Sequence, residues 1–261
     1  MTAPMPRDLP DLPPIPRTHA LIPFSVPTTA VASPVRRRPA AALRLLIAVT
    51  AAAGVALALL LGSPLQALSH FAVQSGILLA VVTALSARRA WTARPPLSSA
   101  WTGAALLYVV FSGLVYHLLL ADSANPFPVT GASGRPTGLL AVAAHLLHTV
   151  VPVAAVLDWL LLTPPGRLRL RQTAPWLLYP LAYLGFSLIR AELIIPGTPG
   201  RHPYPFLDPA THGYQRTLAA ALLLGLSLHA LSLLLVALDH ARPDPVPRRG
   251  KTGFRLQPPV G

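Results

Sequence analysis

The chain has 261 residues, of which 53% are hydrophobic and 11% charged, and it contains no cysteine. Cysteine-based chemistry is therefore excluded: disulfides, thiol catalysis and thiolate-bound metals. The formal net charge of +13 could favour nucleic acid, but the arginines form short clusters between apolar runs, which is typical of membrane topology signals. We therefore expect an integral membrane protein with no nucleic-acid partner. The amino-acid usage is typical of a GC-rich bacterial genome.

Two tails flank the apolar part of the chain. Residues 1–39 are rich in proline and arginine, and such a segment predicts a disordered or polyproline-like cytoplasmic tail. Residues 241–261 are basic and predict a second cytoplasmic tail. The transmembrane domain is expected over residues 40–240.

Six apolar stretches lie between the tails, and each is long enough to cross a bilayer, which takes about 20 residues. No alternating pattern indicates strands. We therefore predict an all-α, polytopic membrane protein with six transmembrane helices. The expected spans are residues 40–62, 69–87, 99–121, 138–162, 174–195 and 214–238.

The basic residues give the orientation of these spans. Clusters of arginine precede the first span and follow the second, fourth and sixth spans. The loops after the first, third and fifth spans carry no basic residue, Arg135 alone and Arg201 alone. Because cytoplasmic loops are enriched in Lys and Arg, both termini are predicted to be cytoplasmic. The expected location is the plasma membrane, with multiple passes.

The fourth span carries ionisable side chains that are costly in lipid. These are His145, His148 and Asp158. Each ionisable residue costs about 2.5–3.5 kcal/mol at the bilayer centre, so its presence suggests a function. The two histidines are three residues apart, which predicts a shared helix face. Pro152 follows one turn later and permits a bend.

Other polar residues fall at similar depth in neighbouring spans. With a rise of about 1.5 Å per residue, most of them lie in one slab of roughly 15 Å in the outer half of the bilayer. This predicts a His-lined polar cavity. Asp158 lies in the inner half, where it either pairs with a loop arginine such as Arg167 or serves the site. Span-end charges could instead reach the interface. The cavity candidates are His145, His117, Gln74, Arg190, Glu192 and Asp158.

Paired histidines suit three kinds of chemistry. A histidine can take the proton of a Ser or Thr that attacks an acyl carbon, and His148 is the candidate base. The pair could instead ligate haem or a metal together with His117 or His229. A proton relay in a transporter is a third alternative. We expect no bound cofactor or metal, and membrane lipids as partners.

Several motifs together resemble the androgen-induced-gene family of six-span membrane proteins, and more closely its bacterial relatives, the Pr-six-Pr membrane proteins. The resemblance covers about residues 45–240. The matching pieces are His145-Leu-Leu-His148-Thr149 with Pro152 and Asp158-Trp159, Trp176-Leu-Leu-Tyr179-Pro180-Leu-Ala-Tyr183 with Arg190, and Tyr204-Pro205-Phe206-Leu207-Asp208 with Gly213-Tyr214.

The resemblance implies a lipid-ester hydrolase. Animal members of the family are threonine hydrolases that cleave fatty acid esters of hydroxy fatty acids, using a Thr early in the second helix and the second His of the pair. His148 is then the implied general base. The Thr position falls on Ala72, which has no nucleophile, and Ser75 on the same helical face could substitute. The alternative is a member that has lost catalysis and binds a lipid.

Overall fold

The structure is a computed structural model that describes residues 37–123, 125–129, 134–195, 198 and 200–243. The predicted N-terminal tail up to residue 36 and the C-terminal tail from residue 244 lie outside the described residues. Every regular element within the described ranges is helical, and none of their residues forms a strand. The predicted all-α fold class is confirmed.

Seven helices follow one another within the described residues. Each predicted span corresponds to one of them, and the short α2 was not predicted. The helices are α1 (Arg38–Leu61), α2 (Pro64–Leu68), α3 (Phe71–Trp91), α4 (Ser99–Leu120), α5 (Gly138–Leu162), α6 (Thr173–Leu193) and α7 (Pro209–Ala241), with single 3₁₀ turns at Leu170–Gln172 and Pro205–Leu207. Helix α7 is interrupted at Gly213, whose φ of 76° is in the left-handed region that glycine adopts readily.

Five of these helices are long and apolar enough to cross a membrane: α1, α3, α4, α5 and α7. Large leucine side chains are exposed along them, as expected where lipid rather than water surrounds a helix. Helix length and composition therefore identify an integral membrane protein. Helix α6 has 21 residues and is long enough to cross, but it is less apolar than these five helices. Its sequence includes several polar and charged side chains.

Helices α1, α3, α4 and α5 form the bundle that contains most of the buried core. Helix α1 has its most extensive contact with α3 and also packs against α5. Small residues allow this close approach, as is common between membrane helices. A Cβ added to Gly54 would lie 3.1 Å from Leu146, and one added to Gly76 would lie 3.0 Å from Leu147. Helix α6 packs mainly against α7, and this pair lies beside the bundle.

The helix ends that carry the arginine clusters, which we call the basic end, are held together by ion pairs. Arg44 of α1 donates to Asp158 of α5 over 2.8 Å. Asp239 of α7 is fully buried and accepts from Trp159 Nε1 at 3.0 Å and from Arg242 Nη2 at 2.8 Å. All these groups have partners, so the polar cost of burying them is offset.

Helix α5 departs from α geometry over Leu146–Val150. In this segment the N–H of Val151 donates to the carbonyl of Leu146, five residues earlier, which makes a π turn. Pro152 has no N–H, so it cannot donate to the His148 carbonyl. A Cβ added to Gly113 of α4 would lie 2.8 Å from that carbonyl oxygen. Glycine is therefore required where α4 crosses the π turn.

We predict that Gly113→Ala lowers the free energy of unfolding by about 1–3 kcal/mol, because the added methyl meets a backbone oxygen that cannot move independently. Gly185→Ala in α6 is the control. A Cβ there meets nothing within 4 Å. The control should be neutral or stabilising by up to about 1 kcal/mol, because alanine favours helix. Thermal unfolding of both variants in detergent measures the difference, and equal effects of the two substitutions would contradict this account of Gly113.

Candidate functional site

His148 is, with Ser75, one of the two predicted site residues that are buried. Its side chain is on the π turn of α5 and is only 4% exposed. The Nδ1 atom lies 2.9 Å from the carbonyl oxygen of Ala144. Because a carbonyl can only accept, Nδ1 carries the proton, and Nε2 of the neutral ring is left with a lone pair. Nε2 has no hydrogen-bond partner within the described ranges.

Aromatic rings surround the His148 imidazole. Tyr116 stacks on it with ring centroids 4.1 Å apart and planes at 20°. Phe127 meets it edge to face at 5.2 Å, and the same Phe127 meets His70 at 5.7 Å. His70 is likewise bonded through Nδ1 to a backbone carbonyl, that of Gln66, and its buried Nε2 has no partner among the described groups. These contacts fix the orientation of the His148 ring.

His148 lines a cavity of about 500 Å³ between the bundle and the α6–α7 pair. Most of the lining is apolar and includes Phe71, Phe111, Leu177, Leu181, Leu222 and Leu228. The polar side chains at its wall are Ser112, His148, Tyr183, Tyr204 and His229. The cavity is therefore an apolar chamber with a few polar groups, whereas the sequence predicted a mainly polar one.

Three polar groups of the wall differ in their partners. The hydroxyl of Tyr183 donates to the carbonyl of Ser69 over 2.8 Å. Tyr204 lies in the loop before α7, and burial raises the pKa of its phenol, so the group stays neutral. His229 has a buried Nδ1 with no hydrogen-bond partner in the described part of the chain. An unpaired buried nitrogen is costly, and a bound ligand could satisfy it.

The residues predicted to share a cavity in the outer half of the bilayer do not all lie together in the structure. His145 is exposed, bonded through Nδ1 to the carbonyl of Ala141, and does not line the cavity. His117 lies 3.0 Å from the hydroxyl of Thr149, which links α4 to α5. Ser75 is buried and donates to the carbonyl of Ala72 in its own helix over 3.1 Å. No hydrogen bond joins Ser75 to His148.

The remaining candidates have structural partners and do not line the cavity. Gln74 donates to the carbonyl of Leu68 and accepts from the Tyr179 hydroxyl. Arg190 donates to two carbonyls of the loop after α6. Glu192 is 68% exposed and lies 3.7 Å from Arg201. Asp158 pairs with Arg44 at the basic end, and Arg167 donates instead to the carbonyl of Leu97.

The sequence did not identify the groups that surround His148. His229 was considered as a metal or haem ligand or as a hydrogen-bonding group between helices. No role was given to Tyr183 and Tyr204 of the cavity wall, or to Tyr116, which stacks on His148. The signal available was the aromatic spacing of α6, where Tyr179 and Tyr183 are one turn apart and therefore share a face. Nothing in the sequence indicated that the loop carrying Tyr204 would close over the same space.

Comparisons with protein-family models, curated proteins and solved structures found no match. Within the described ranges, no group of three or more His, Asp or Glu side chains is arranged to hold a metal ion.

Proposed function

We propose that the protein is a six-span plasma-membrane protein with both termini in the cytoplasm, and that it binds a single-chain lipid in the cavity between α4, α5, α6 and α7. The observation that carries this proposal is an apolar chamber of about 500 Å³ with a buried, unpaired imidazole nitrogen of His229 at its wall. Ligand pockets of this kind combine a mainly apolar lining with a few polar groups that orient the ligand.

The apolar lining suits an acyl chain. Each methylene removed from water contributes about 0.8 kcal/mol, and lipid chains are already concentrated around the helices. Leu181, Leu222 and Leu226 line the cavity, and each is more than half exposed. The exposed apolar wall favours entry of an acyl chain sideways from the bilayer, without crossing water.

The polar groups select the head of the lipid. His148 uses its Nδ1 proton on Ala144, so its Nε2 accepts a hydrogen bond and cannot donate one. The complementary ligand atom is a hydroxyl or a protonated carboxyl group. We therefore expect a fatty acid, a hydroxy fatty acid or a monoacylglycerol in preference to a lipid whose head has no such donor.

Filling the cavity tests lipid binding. Gly225 of α7 lines the cavity and a Cβ there meets nothing within 4 Å, so Gly225→Leu should fold and place its side chain in the acyl space. Gly185→Leu is matched, because Gly185 is also helical and open but does not line the cavity. We expect binding of radiolabelled oleic acid to weaken at least about tenfold in Gly225→Leu only. Equal binding by both variants would refute the acyl site.

Ester hydrolysis is a second candidate function. The resemblance to the androgen-induced-gene and Pr-six-Pr proteins suggests it, and the proton-accepting Nε2 of His148 at the cavity wall favours it. In this reaction His148 would take the proton of a hydroxyl as its oxygen bonds to the acyl carbon, and would return it to the departing alcohol. Ser75 is the predicted nucleophile and would have to leave the carbonyl of Ala72 to reach the ester.

If the protein is an esterase, His148→Gln should reduce turnover of a fatty acid ester about 10²–10⁴-fold, because a general base contributes that much. His145→Gln should retain activity, since His145 does not line the cavity. Ser75→Ala should abolish both turnover and labelling by a fluorophosphonate probe. Turnover that survives Ser75→Ala would exclude Ser75, and turnover that survives His148→Gln would exclude this site.

The six-span topology can be tested directly because the chain has no cysteine. Thr198 and Arg171 are exposed and flank α6. We expect a membrane-impermeant maleimide to label Thr198→Cys in intact cells and Arg171→Cys only after permeabilisation. Arg94→Cys, in the loop between α3 and α4, should behave as Arg171→Cys does. Labelling of both flanking positions from one side would show that α6 does not cross the membrane.

A further inference from the structure

A second pocket, of about 370 Å³, lies at the basic end of the helices. It is formed where α4 begins and where the loop after α5 turns into α6. Unlike the first cavity, its lining is polar. The residues that matter are Arg167, Arg169, Arg171, Ser99 and Gln172, and the last two are joined by a hydrogen bond of 2.9 Å between Gln172 Nε2 and Ser99 Oγ.

None of the three arginines of this pocket forms an ion pair with a carboxylate in the described part of the chain. The carboxylates at the basic end are already used, since Asp158 pairs with Arg44 and Asp239 pairs with Arg242. Arg167 Nη2 donates only to the carbonyl of Leu97. Burial and the nearby charge of Arg44 lower the pKa of Arg167, and the charge of Asp239 offsets them only in part. An anion in the pocket would pair with these arginines and offset the burial of the Arg167 charge and its repulsion by Arg44.

The guanidinium groups select for phosphate. Arginine presents a planar fork of donors that matches phosphate oxygens, and several such groups around one pocket favour an anion with several acceptors. The Ser99 hydroxyl accepts from Gln172 Nε2 and keeps its own proton to donate beside them, while Gln172 Oε1 is held by the N–H of Arg169.

The surroundings of the pocket favour a phosphate carried by a lipid. Leu170 lies between Arg169 and Arg171 and is 65% exposed. Trp101 lies in the first turn of α4, close in sequence to Ser99 of the pocket, and is 60% exposed. Tryptophan is enriched at the headgroup level of membrane helices, and an exposed leucine between two arginines is placed to contact the upper part of an acyl chain. A soluble phosphate would make no use of either side chain.

We propose that this pocket binds the headgroup phosphate of an anionic glycerophospholipid, with Arg167, Arg169 and Arg171 around the phosphate. The site is separate from the cavity at His148 and does not depend on its function. It also differs from the general positive charge of this end of the molecule. Arg88 and Arg94 are exposed arginines of the same end that line no such pocket.

The test compares two pairs of substitutions that each remove two positive charges. Arg169→Gln with Arg171→Gln empties the pocket of its two exposed guanidiniums and leaves the bond between Arg167 and Leu97 intact. Arg88→Gln with Arg94→Gln is the matched control. Purified full-length protein in neutral detergent is titrated with phosphatidylglycerol, with phosphatidylcholine and with soluble glycerol phosphate, and bound lipid is counted by native mass spectrometry.

We expect the unaltered protein and the Arg88, Arg94 control to bind phosphatidylglycerol with at least about tenfold preference over phosphatidylcholine, and the pocket variant to lose that preference. Arg169→Lys with Arg171→Lys should retain part of it, because the charge remains. No preference in the unaltered protein would overturn the proposal. Equal loss of the lipid preference in the two Gln double variants would indicate that diffuse positive charge alone attracts the lipid. Displacement of the lipid by glycerol phosphate at a similar concentration would assign the site to a soluble anion. A thermal melt confirms that each variant is folded.

Discussion

The carboxylate of Asp239 fixes the last helix to the rest of the molecule. It accepts from the indole of Trp159 and the guanidinium of Arg242, and its other oxygen accepts from the N–H of Leu168 at 2.8 Å. Arg242 also donates to the carbonyl of Trp159 and lies over its ring at 4.8 Å. A carboxylate buried without such partners would cost several kcal/mol, so this arrangement is stable only as a complete set.

Because α7 is fixed at the basic end, it can lie apart from the bundle at mid-depth. There it packs against α6 and touches α4, and the space left between these helices is the cavity at His148. Gly225 contributes to this separation, since it lines the cavity and has no side chain to fill the open space next to it. The network that stabilises one end of the structure thus permits the opening in the middle.

Hydropathy was sufficient to predict where the helices lie, because long apolar runs have few alternatives. It also identified His148 as a buried polar residue. It could not predict that His145 is exposed and His148 buried, nor the π turn that begins after His145, where Gly113 of another helix approaches the backbone. Nor could it predict which side chains would form ion pairs with one another.

Asp158 illustrates the problem of partners. A nearby loop arginine, Arg167, was the obvious choice from sequence distance, yet the partner is Arg44, at the start of the first helix. Asp239, a single acid near the end of the sixth predicted span, was not among the predicted residues. Contacts between helices that are far apart in sequence decide both cases, and such contacts follow from three-dimensional packing rather than from any local pattern.

The break at Gly213 has a consequence for the loop that carries Tyr204. The short segment before this glycine is held by its own contacts: Asp208 accepts from the N–H of Ala210 and lies 3.1 Å from His202. Gly213, with φ of 76° and ψ of 154°, is not helical, so the helix is broken between this segment and the span. The position of the Tyr204 loop at the cavity wall is therefore set by these local contacts and not by a continuous helix with the span that follows.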